Sequence, residues 1–368
     1  PVYMEKDSKY YHVGDDMFQD MLEDIKHAEH FIFLEFFIMK QGVMFDTLIE
    51  ALAERAKAGV HVRLIYDDMG CIDEFPRHFY KELQKKGIHV ACFNPFRPFL
   101  SIIMNNRDHR KIVVIDGRIG YTGGLNIADE YINEIERFGH WKDTAVKLEG
   151  EAVKNLIALF LETWNTQNKK ELDIKEYLVE YDKFNSGVIM PYGDGPESFY
   201  NDDIGKYVYI NMINNAQNYI YITTPYLICD HEILSALSVC ARKGVDVRII
   251  TPHIPDKKTV FYMTQSNYQE LIKNGVKIYE YTPGFIHAKS FVCDDVYAIC
   301  GTINLDYRSL VHHFECGVWM YKTECIKDMK QDFLETQSIS EEITLGKSKL
   351  KGWKKILAEV LKVFSPLF

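Results

Sequence analysis

The stretch HRKIVVID at residues 109–116 returns as HAKSFVCD at residues 287–294, so His109, Lys111 and Asp116 recur at identical spacing as His287, Lys289 and Asp294. Residues two apart share one face of a strand, so each histidine and its lysine aim at a single ligand group. An imidazole beside an ammonium group suits a phosphate. Each copy is followed, seven and ten residues after its aspartate, by a glycine and an asparagine: Gly123, Gly124, Leu125, Asn126 in the first, Gly301, Thr302, Ile303, Asn304 in the second. Two complete copies with matching satellites make coincidence a poor explanation.

The duplication extends well beyond the motif. AEHFIFLEFFI from Ala28 is echoed by AQNYIYITTPYLI from Ala216, AKAGVHVRLI from Ala56 by ARKGVDVRII from Ala241, and LQKKGIHV from Leu83 by LIKNGVKI from Leu271. Order is kept, and the long period excludes short-repeat solenoids. The chain therefore divides into a first lobe at 1–170, a charged linker at 171–187 read as an exposed connector, a second lobe at 188–338 and a C-terminal segment at 339–368.

Periodicity alternates between helix and strand within each lobe. Phe45, Leu48, Ile49, Leu52 and Ala56 recur at helical spacing, Gly59 stops the helix, and an apolar run from Val60 to Tyr66 follows. Ile233, Leu234, Leu237 and Ala241, then Gly244, then Val245 to Ile250 repeat the pattern. The expected fold class is α/β, with a mixed, mostly parallel sheet covered by helices in each lobe. Both motif segments are expected as strands near the sheet centres, the lobes facing each other across a pseudo-twofold with one shared cleft. Strand parity puts Asp116 and Asp294 on the face opposite their lysines. They are read first as buried structural partners, and kept with the triads among the candidate catalytic residues. Asp67 and Asp68, at the end of an apolar strand, are read as a solvated loop end.

A chain of 368 residues, 47% hydrophobic, supplies two cores. The net charge of -10 opposes nucleic acid as a partner, because that binding needs basic surface to displace counterions. Eight cysteines without a C-x-x-C pair, several inside apolar strands, read as reduced core thiols and a cytoplasmic setting. The segment FRPFLSIIM before the first motif, in a stretch ten residues longer than its counterpart, is a candidate acyl-chain or bilayer contact. Beyond Gly346, Trp353, Ile356, Leu357, Val360, Leu361 and Phe364 fall at helical spacing among six lysines, a basic amphipathic helix suited to an anionic membrane surface.

HRKIVVID with GYTGGLNIADEY, WKDT, TPYL, HAKSFVCD with GTINLDYRSL, and Phe314 with Glu315 resemble the two signature blocks of the phospholipase D superfamily. The flanks, including GDGP at 193–196 and the SPLF terminus, resemble its bacterial cardiolipin synthase branch. Two departures stand out: Lys142 replaces the branch's usual arginine, and the branch's N-terminal membrane helices are not in this chain, which starts at Pro1 without a methionine and so admits an upstream segment that carried them. The resemblance implies phospholipase D-like α/β/α lobes. It also implies phosphatidyl transfer between two phosphatidylglycerol molecules, giving cardiolipin and glycerol at the cytoplasmic face of a bacterial membrane. Water or another alcohol as acceptor would make the same site a phospholipase D or a headgroup-exchange enzyme. A non-catalytic phospholipid-binding scaffold is the reading from another class, opposed by the intact histidines.

Displacement at a phosphodiester needs a nucleophile, an acid for the leaving alkoxide and positive charge on the non-bridging oxygens. His109 and His287 can fill the first two roles; Lys111, Lys289, Asn126 and Asn304 the third, with Gly124 and Thr302 bringing backbone close to the substrate. No metal and no other cofactor is called for, and a lysine in each triad opposes a cation. By resemblance His109 is the nucleophile forming a phosphohistidine and His287 the general acid and base. Asp143 and Glu315, each about thirty residues beyond its own motif's histidine, are implied as the acceptors that orient the two rings.

Overall fold

The computed structural model describes residues 1–368 apart from 73, 76–77, 96–104, 169, 182–184, 197–198, 201, 349, 351, 354–356, 359 and 362–368. In the helix Val43–Lys57 the periodic Phe45, Leu48, Ile49 and Leu52 are buried, and Gly59 at φ +97° turns the chain into the strand His61–Asp67. A side chain would strain that turn. The second lobe repeats it with the helix His231–Arg242, Gly244 at φ +94° and the strand Asp246–Pro252.

Each helix of this kind spans a crossover, and within the two large sheets only there are strands parallel: Phe31–Phe36, His61–Asp67 and His89–Phe93 in one lobe, Tyr219–Thr223, Asp246–Pro252 and Lys277–Tyr281 in the other. The motif strands Ile112–Ile115 and Ser290–Cys293 lie fourth of seven and fifth of nine, central as expected. They run antiparallel to Phe31–Phe36 and Tyr219–Thr223, and tight turns return them as Ile119–Gly123 and Tyr297–Gly301. All remaining ladders of the two sheets are antiparallel. The expectation of mostly parallel sheets is thus corrected: three-residue links cannot carry the crossover that parallel pairing demands.

Those turns place Asp116 and Asp294 at φ +52° and +54°. The Asp116 carboxylate accepts from the backbone N–H of Glu29, His30 and Phe31 at 2.7–2.8 Å, and Asp294 does the same for Gln217, Asn218 and Tyr219. Both aspartates therefore anchor the entry to a central parallel strand. They are half-buried rather than buried.

The two sheets face each other across one continuous apolar core that also takes in the helices Val153–Gln167 and Cys325–Ser338. Phe33 stacks on Phe160 at 4.4 Å, and Tyr221 on Phe333 at 4.7 Å. Separate cores fill the outer side of each sheet. The lobes are also stitched by backbone, since His140–Lys142 pairs in parallel with Gly284–Ile286 and the N-terminal Tyr3–Met4 joins the sheet of the second lobe. The connector is less exposed than its charge implies: Tyr177 is buried edge-on against Phe31, 4.9 Å between ring centres.

All eight cysteines are free. Among the described residues, no helix is long and apolar enough to cross a membrane. FRPFLSIIM and the lysines at 349, 351, 354, 355 and 362 lie outside the described residues. Of the C-terminal segment, Trp353, Leu357, Val360 and Leu361 are helical, and Trp353, 63% exposed, meets Tyr262 edge-on.

Candidate active site

The seam between the lobes builds the site. His287 N–H donates to the carbonyl of Lys142 at 2.7 Å, and His109 N–H to that of Phe314 at 2.8 Å. Each motif histidine is therefore held at the residue preceding the other lobe's acid. The side chains follow: His287 Nδ1 lies 2.7 Å from Asp143 Oδ2, and His109 Nδ1 lies 2.9 Å from Glu315 Oε1. The sequence leaves open which acid serves which ring; the structure gives each histidine the acid of the other lobe. Both pairs are buried, and a carboxylate on Nδ1 leaves Nε2 as the free ring nitrogen.

His109 and His287 line one cavity of about 410 Å³, together with Asn126, Asn304, Trp141 and His313. That volume suits a small polar headgroup and its phosphate. Lys111 and Lys289, 2% and 1% exposed, turn their amines onto the carbonyl oxygens of His109 and His287. Burial lowers these lysines to about 8 and about 7, and the same burial, with the lysine charges, holds His109 well below its usual range and His287 at about 4. Burial pushes the Asp143 carboxyl up, but the His287 ring and Lys289 outweigh it and leave it below the ordinary range.

Asn126 is held by protein at both ends of its amide, accepting from Ile38 N–H at 2.9 Å and donating to Tyr131 Oη at 2.8 Å. Asn304 donates to Ser309 Oγ and keeps its Oδ1 without a partner. Gly124 and Thr302 buttress the acids instead of the substrate. A side chain at Gly124 would collide with Asp143, and Thr302 Oγ1 donates to Glu315. Asp116 and Asp294 lie at the far ends of the motif strands, outside the cavity lining.

Asp67 is fully buried, not solvated. It accepts from Arg107 at 3.2 Å and from the backbone of Met69, Gly70 and Asp108, and burial raises it to about 6. It thereby fixes the approach to His109. Arg110, fully buried, reaches the Glu315 carbonyl and the hydroxyls of Thr163 and Tyr200, tying the first motif to both lobes. Lys142 spans the seam to the His12 carbonyl and Asp332. Sequence reading also passed over His313, two residues before Glu315, whose ring centre is 5.5 Å from that of His109. Its spacing from Glu315 matches that of Trp141 from Asp143, which was the available signal.

A family model described as cardiolipin synthase, phospholipase D-like domain matches residues 21–164 and 209–336. The chain belongs to that family. With membership comes the phosphatidyltransferase class of enzyme. An uncharacterized protein of Streptococcus mutans serotype c is 45% identical over the whole chain, which covers 80% of that relative. A Geobacillus cardiolipin synthase is 41% identical over 91% of the chain and 67% of its own length, and a Staphylococcus aureus cardiolipin synthase 35% identical over 99% and 74%. A phosphatidylserine synthase structure from Haemophilus influenzae superposes with a TM-score of 0.76 at 12% identity, covering 100% of this chain and 95% of its own. That likeness speaks to the family's two-lobed fold.

Proposed function

We propose that the chain condenses two phosphatidylglycerol molecules into cardiolipin and glycerol at an anionic membrane surface. The observation that carries this reading is the crosswise pair of acid-oriented imidazoles lining one cavity, each backed by a buried lysine. A phosphodiester entering between the rings meets Lys111 and Lys289 at its non-bridging oxygens, and Asn304 joins them through its donating Nδ2, which in the free site is spent on Ser309 Oγ. Its negative charge also raises the depressed imidazoles, so that one can carry a proton.

By likeness to the superfamily, His109 Nε2 attacks phosphorus, the phosphorus–oxygen bond to glycerol breaks, and His287 delivers its proton to the departing oxygen. His287, now neutral, takes the proton from the hydroxyl of a second phosphatidylglycerol as that oxygen bonds to phosphorus and the nitrogen–phosphorus bond breaks. Membrane attachment would fall to the C-terminal segment with its exposed Trp353.

The test offers labelled phosphatidylglycerol in chelator to the wild type, His109→Ala and His287→Ala, and identifies products by mass spectrometry. Cardiolipin and glycerol from the wild type alone are expected. Phosphatidic acid as the sole product would replace transfer by hydrolysis, and turnover by either variant would remove the two-histidine mechanism.

A further inference from the structure

His313 is 8% exposed, lines the cavity, and has neither ring nitrogen hydrogen-bonded. Its Nδ1 stops 3.7 Å short of Glu315 Oε1. A buried imidazole with two idle nitrogens is costly, and such a group calls for a ligand. His109, His313 and Glu315 each bring one donor atom to within 4.8 Å of the others, and all three are buried. Two imidazoles and a carboxylate form a donor set that zinc takes readily, at metal–ligand distances of about 2.0–2.2 Å, leaving further positions for water. Small ring rotations close the remaining gap.

We propose that this cluster is a regulatory site for a divalent transition metal such as Zn²⁺, and that the bound ion shuts the enzyme off. Inhibition follows whichever nitrogen His109 contributes. Coordination through Nε2 occupies the atom the reaction uses; coordination through Nδ1 strips His109 of the Glu315 contact that orients it. Lys111 and Lys289, buried behind the two histidines, repel a dication, so the ion is exchangeable rather than a permanent part of the site. Among the described residues the site is also single. Its pseudo-twofold counterpart beside His287 is Trp141, ring centres 5.6 Å apart, and an indole is no ligand.

The chelator-treated full chain, titrated with ZnCl₂ and with CoCl₂, tests this by equilibrium dialysis with metal analysis and by visible absorption of the cobalt form. One ion per wild-type chain, an absorption band of a low-coordinate nitrogen–oxygen site, a rise in Tm with zinc and turnover restored by chelator are expected. His313→Ala and His313→Trp, checked for folding by near-ultraviolet circular dichroism, should bind at least 30-fold more weakly. His253→Ala, which breaks a histidine–glutamate pair between an exposed ring and the buried Glu280, outside the cavity lining, should bind like the wild type. No stoichiometric binding, or binding that both His313 variants retain, overturns the proposal. Binding is read directly, so the result stands apart from which lipid is turned over.

Discussion

At the scale of single residues, the exchanged acids are the most testable feature. Asp143→Asn removes the acceptor of His287, and Glu315→Gln that of His109; each should lower kcat by about 10²–10⁴-fold with little change in KM, as expected for a lost orienting carboxylate. Ring-nitrogen NMR should then show Asp143→Asn disturbing His287 and sparing His109; the opposite pattern would refute the crosswise assignment. The lysines set the alkaline behaviour. In the free cleft Lys289 and Lys111 lose their protons as pH rises through about 7 and about 8, so the positive charge awaiting phosphate is present below that window and fades above it. Consequently kcat/KM should decline on the alkaline side of neutrality, while kcat, measured with the anion bound, holds to higher pH. Lys289→Arg, permanently charged, should move the decline upward. An unmoved alkaline limb would assign it to another group. The histidines, lysines and asparagines could be found from spacing because the motif occurs twice. The resemblance pointed to Glu315 and Asp143 too, but not to their partners, since offsets of about thirty residues in both repeats read the same whether the contacts run within a lobe or between lobes.

At the scale of elements, alternation correctly located the helices, the crossovers and the central motif strands, because buried faces impose their period on sequence. It said less about strand direction, which depends on how long a connection is, and the short turns after both motifs dictate antiparallel pairing. The parity argument for Asp116 and Asp294 led to a sound conclusion for an incomplete reason: left-handed turns carry these carboxylates to three backbone donors each. Asp116→Ala or Asp294→Ala leaves those N–H groups with water or nothing. A loss of about 1–3 kcal/mol is expected, or a Tm lower by about 2–4 °C per kcal/mol, with activity per folded molecule close to wild type. Calorimetry beside an active-site titration checks both halves of that statement; a stable but inactive variant would return these aspartates to the chemistry.

At the scale of the whole molecule, the sequence showed two lobes, and the face-to-face sheets with a common core explain how they meet. Since one chain supplies both histidines and both acids, co-expressed His109→Ala and His287→Ala chains should stay inactive together. Recovery to a sizeable fraction of wild-type turnover would mean that sites form between chains. The parallel pairing of His140–Lys142 with Gly284–Ile286 has a historical consequence as well. A repeat that lends its carboxylate and its strand edge to its twin has surrendered independence: restored to a solitary existence, either unit would strand a buried base without its anchor. Descent from a duplicated ancestor is in that sense a ratchet, and novelty accumulates in side chains the shared backbone pairing does not constrain, as the contrast between Trp141 and His313 illustrates.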